Sequence, residues 1–113
     1  MSKVTMDHVR RSNRFRVVMN TPLRIGLKQG TLVDISTTGV LATHSGTLKT
    51  GSSVEISFNH DGRKFVASAQ VASCTVVGLG AGDKGATLYA SRLFFTTLTA
   101  ESRQIVESLV NVA

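Results

Sequence analysis

Val17, Met19, Thr21, Leu23, Ile25 and Leu27 alternate with Val18, Asn20, Pro22, Arg24 and Gly26. That period of two is the period of a half-buried strand, and Pro22, which cannot donate to a ladder, favours an edge or a bulge. Thr31 to Ile35 and Val40 to Thr43 read as a second extended stretch broken by a Ser/Thr/Gly turn, and Val54, Ile56 and Phe58 alternate with polar residues in a third. His60-Asp61-Gly62 then predicts a hairpin turn, because both central positions of a type I′ turn need positive φ. A fourth strand from Arg63 to Val77 follows, long enough to bend. The glycine-rich stretch Gly78 to Gly85 leads into a fifth strand, roughly Ala86 to Phe95.

After that the period changes. Thr99 is placed to cap a terminal helix in which Ile105, Val106, Leu109 and Val110 share one face and Glu101 sits in the first turn, where the macrodipole favours an acid. Five or six short strands in hairpin order with one C-terminal helix predict an all-β fold: a small antiparallel barrel closed at one end by that helix. The chain of 113 residues with 42% apolar content suits one compact domain.

Charge divides the chain. Lys3, Arg10, Arg11, Arg14, Arg16, Arg24 and Lys28 stand against Asp7 alone and carry the formal surplus of +6, while from residue 29 onward basic and acidic side chains balance. The division predicts a basic N-terminal arm, residues 1–15, on a neutral barrel domain, residues 16–113, with an anionic partner drawn to one place. The N-terminus has no apolar run of signal-peptide length, and nowhere do apolar residues run long enough to span a membrane. A soluble, cytoplasmic protein is expected. Cys74, the lone cysteine among apolar neighbours, fits a buried thiol in a reducing compartment.

Two segments carry candidate chemistry. Arg10 and Arg14 share one side of the arm, and two planar forks there can grip phosphates, pair with the O6 and N7 edge of guanine, or stack on a purine. The same arm could equally bind polyanions without specificity. Asp34 and Ser36, two apart in an extended segment, are expected to point the same way, with Gly39 taking the positive φ that turns the chain back. An aspartate accepts from the N1-H and N2-H donors of guanine, though Asp, Ser and Gly at these offsets also suit any tight turn.

Arg10-Arg-Ser-Asn-Arg14 followed by Asp34-Ile-Ser-Thr-Thr-Gly39 resembles the paired signature of the PilZ domain family, Arg-x-x-x-Arg and Asp/Asn-x-Ser-x-x-Gly. The likeness continues through the hairpin at Asp61-Gly62 and the ending from Leu93 into an amphipathic helix. It implies a six-stranded antiparallel split barrel with a C-terminal helix that binds cyclic di-GMP (cyclic diguanylate), a bacterial second messenger. In such a receptor Arg10 and Arg14 clasp phosphates and guanine, Arg11 adds a lesser contact, and Asp34, Ser36 and Gly39 complete the guanine pocket. The implied role is signal transduction through an unidentified protein partner, with motility, biofilm or virulence as output. Two departures stand out: Val9, apolar just before Arg10, leaves one or two nucleotides per chain open, and Tyr89 to Phe94 lacks the glycine that relatives tend to carry before the aromatic, which bears on barrel packing.

Other patterns are set aside. Gly80-Ala-Gly-Asp-Lys-Gly85 fits Gly-x-Gly-x-x-Gly, but a strand follows it, so no helix N-terminus is offered to a pyrophosphate. His8, His44 and His60, expected at the surface, have no metal-ligand spacing, and no serine or cysteine stands beside a recognisable base. No enzyme activity and no cofactor are expected. A barrel binding single-stranded RNA or DNA through the arm would want stacking aromatics, and the chain has no Trp and one Tyr. An adaptor that has lost nucleotide binding is the other alternative.

Overall fold

A computed structural model describes residues 17–80 and 83–111. In chain order the elements are β1 (Val17–Ile25), β2 (Lys28–Ile35), β3 (Gly39–Ser45), β4 (Ser53–His60), β5 (Arg63–Gly78), a 3-10 turn (Asp83–Gly85), β6 (Leu88–Leu98) and α1 (Ala100–Asn111). The strands close a barrel in the order β1-β2-β3-β6-β5-β4, every neighbouring pair antiparallel. The expected six-stranded antiparallel barrel with a C-terminal helix is therefore what this sequence folds into.

Alternation decides which side chains enter the barrel. Leu23 and Ile25 of β1, Ile56 and Phe58 of β4, and Phe65, Ala67 and Ala69 of β5 are all buried, with less buried positions, most of them polar, between them. Phe58 stacks on Phe65 with ring centroids 4.6 Å apart, and Phe65 meets Phe95 at 5.7 Å. The expected first strand is shortened at its end. Gly26, at φ +60°, and Leu27 form the two-residue turn between β1 and β2, and Leu27 is 94% exposed instead of continuing the apolar face.

The seam between β1 and β4 is short, with Arg24 opposite Ser57 and Ile25 opposite Ile56. Pro22 lies beyond those pairs, where β1 has no β4 partner asking for an N–H, and β1 is irregular between Val18 and Thr21. At the other hairpin Asp61 and Gly62 have φ +51° and +74°, as the Asp-Gly pair predicts. β5 runs for 16 residues and shifts register three times against β6, which is how so long a strand follows the barrel's curve.

The helix closes one end. Thr99 Oγ1 accepts from the N–H of Ser102 at 3.0 Å, the N-cap bond expected of it. Ile105, Val106, Leu109 and Val110 are buried against the barrel, each worth roughly 1.5–3 kcal/mol of gross hydrophobic stabilisation. Ser102, fully buried, accepts from the backbone N–H of Val66 at 2.8 Å, supplying a partner to β5 just past the end of its ladder with β6. Arg63 on β5 reaches Glu101 at 3.3 Å across an exposed gap, so the polar link steers the helix more than it stabilises it. Among the described residues no helix is long and apolar enough to cross a membrane.

Candidate functional site

The segment Asp34 to Gly39 ends β2, turns, and starts β3. Leu32 pairs with Ala42 and Asp34 with Leu41, so Val33 is an extra residue in the ladder. This bulge lets Leu32 and Ile35 both point into the core and sends Asp34, half-buried, to the barrel's outer face. Asp34 is also aligned with Val18 of β1, and Ile35 with Val17.

Ser36 lies past the strand end and is only 1% exposed. Its Oγ accepts from the Thr38 N–H at 3.3 Å and lies 3.1 Å from Thr38 Oγ1, while its N–H donates to the Gly39 carbonyl at 2.9 Å. Asp34 and Ser36 therefore do not share a face, as their spacing alone implied: the aspartate looks outward and the serine turns back into the loop it holds.

Gly39 also differs from expectation. Its φ is not positive; what demands glycine is β6, since a Cβ here would lie 2.1 Å from the Leu93 carbonyl oxygen. The turn is pinned to β6 on its other side by the Phe95 N–H donating to the Thr38 carbonyl at 2.9 Å. Thr37, Thr38, the β6 residues Phe94 to Leu98 and Arg103 of α1 line a groove of about 530 Å³ beside it. Phe94, 51% exposed, brings an aromatic ring to the turn that sequence spacing could not connect with it. Arg10, Arg11 and Arg14 lie outside the described residues.

Elsewhere polar groups serve the fold. His44 is 2% exposed and so is not the surface residue expected. Its Nδ1 lies 3.0 Å from the Gly46 carbonyl, which can only accept, so Nδ1 carries the proton and Nε2 accepts from Ser91 Oγ at 2.7 Å. Desolvation holds its pKa below the ordinary histidine value. Cys74 is half-buried, with Sγ accepting from the Leu48 N–H at 3.4 Å. Among the described residues no group of three or more His, Cys, Asp or Glu side chains could hold a metal ion. The Gly80 to Gly85 stretch ends in the short 3-10 turn before β6.

Comparison with known proteins agrees with this architecture. Among solved structures the chain is similar to the inhibitor of motility MotI/DgrA of Bacillus subtilis, with a TM-score of 0.69 and 13% identity over 87% of this chain and 48% of that one. The chain thus spans about half the length of that protein, and identity this low shows the shared fold alone. No curated protein matches it. The family model of the PilZ domain matches residues 8–111, from just before the first motif arginine to the end of α1. With the barrel, the capping helix and the Asp34 to Gly39 turn all in place, the chain belongs to the PilZ domain family, whose members commonly bind cyclic di-GMP and act as receptors or adaptors, typically without enzymatic activity.

Proposed function

We propose that this chain is a cyclic di-GMP receptor that passes its signal to a partner protein. Arg10 and Arg14, with Arg11 beside them, clasp the phosphates and a guanine, and Asp34 accepts from that guanine's N1-H and N2-H. Ser36 and Gly39 hold the turn that presents Asp34, in the geometry already described.

One observation carries the reading: Val17, the first residue of β1, is aligned with Ile35, next to Asp34. Arg14 precedes Val17 by three residues, so covalent geometry limits its Cα to within about 11 Å of that point; for Arg10, seven residues away, the limit is about 25 Å. Both motifs are thus tied to one end of the β1–β2 ladder, within reach of a single dinucleotide. An anion held between arm and barrel draws residues 1–15 against the outer face, and the surface shown to a partner differs between the free and bound states. The similarity to an inhibitor of motility makes motility the first output to examine, with biofilm formation and virulence after it.

The test is a calorimetric titration with cyclic di-GMP, with GTP and a short single-stranded RNA as competitors, on the wild type and on Arg14→Ala. Charge-assisted hydrogen bonds contribute about 1.5–3 kcal/mol each, so the variant should bind roughly ten- to a hundredfold more weakly. Its melting temperature should be unchanged. Equal affinity in the two proteins would sink the proposed site, absence of binding would leave a protein adaptor, and preference for RNA would make the arm a nucleic-acid clamp.

A further inference from the structure

We infer that Arg92 is a further arginine of the nucleotide site, reaching it from the far side of the barrel face; this rests on the receptor reading above. The cross-strand register supplies the argument. Val18, Asp34, Leu41 and Arg92 form one continuous row across β1, β2, β3 and β6, each aligned with the next. The row faces outward, because the adjacent row of Ile35, Val40 and Leu93 is fully or almost fully buried. Neighbouring strands lie about 4.8 Å apart, so the Cα atoms of Asp34 and Arg92 are about 10 Å from each other on the same face.

Between them lies the half-buried Leu41, with the 82% exposed Val18 at one end of the row and Phe94 two residues along β6 from Arg92. Asp34 and Arg92 therefore stand on either side of an apolar position, Leu41, at a Cα separation on the scale of a purine hydrogen-bonded at both edges, each bond about 2.9 Å. Guanine fits that spacing by its edges. Its N1-H and N2-H donate to a carboxylate, and its O6 and N7 accept from an arginine fork. Its face meanwhile covers Leu41.

Arg92 is otherwise unexplained. It is half-buried, and among the described residues its side chain forms no hydrogen bond or ion pair, nor do its row neighbours Leu41 and Ser73 carry a charge. A guanidinium at the surface with no side-chain partner on the protein keeps its fork of donors available to an acceptor that arrives. The stretch Tyr89 to Phe94, expected to matter for packing, is thereby given a role at the ligand.

The test titrates cyclic di-GMP into the wild type, Arg92→Ala and Arg92→Lys, with thermal melting of each free protein. Arg92→Ala should lose roughly tenfold or more in affinity, the worth of one bidentate base contact, with an unchanged melting temperature. Arg92→Lys should recover only part of the loss, since an ammonium keeps the charge but not the fork. Wild-type affinity in Arg92→Ala, or full rescue by lysine, would overturn the base contact and leave the receptor reading intact. No binding by the wild type would overturn both.

Discussion

Two turns of this barrel use the same residue types for different physical reasons. At the β4–β5 hairpin Asp61 and Gly62 both adopt positive φ, and a Cβ on Gly62 would meet nothing within 4 Å. At the β2–β3 turn Gly39 has no positive φ, yet a Cβ would strike the backbone of β6. The first glycine answers to its own dihedral angles, the second to a neighbour 54 residues away along the chain, Leu93. One hairpin is specified locally, and the turn that carries the candidate site is specified by the closed barrel.

The contrast can be broken by substitution. Gly39→Ala should have the largest effect, because the clash is with backbone and only a shift of β3 against β6 relieves it: a loss of about 3 kcal/mol in urea unfolding. Nucleotide binding should fall with it, since the turn presenting Asp34 moves. Ser36→Ala comes next. It removes the acceptor of the Thr38 N–H in a part-buried turn, and with Thr38 itself exposed the loss of that hydrogen bond should cost about 1–1.5 kcal/mol by the same measurement. Gly62→Ala should cost least, about 1 kcal/mol of left-handed strain with no steric partner, and should leave affinity for the nucleotide untouched. If Gly39→Ala and Gly62→Ala destabilised equally, the distinction between a locally and a globally specified glycine would be wrong for this protein.

How legible the site was in the sequence follows from the same distinction. The spacing of Asp34, Ser36 and Gly39 marked the segment, and the turn is there. The inference that Asp34 and Ser36 point the same way failed because β2 stops at Ile35 and a bulge at Val33 re-aims the carboxylate. Neither the strand's end nor its bulge is set by side-chain alternation. His44 was misplaced at the surface because a polar residue looks exposed until Ser91 and the Gly46 carbonyl are known to satisfy both ring nitrogens.

What the sequence determined by itself is whatever depends on neighbours in the chain. Strand periodicity, the positive-φ Asp61-Gly62 pair, the Thr99 cap and the apolar stripe of α1 all follow from contacts or angles within a few residues. The tertiary structure alone decided the alignments between distant strands: Val17 beside Ile35, Gly39 against Leu93, and Asp34 in one row with Leu41 and Arg92. The reason is that register is a property of paired strands, fixed when every inward side chain finds its place in one core at once. No segment read alone contains that information.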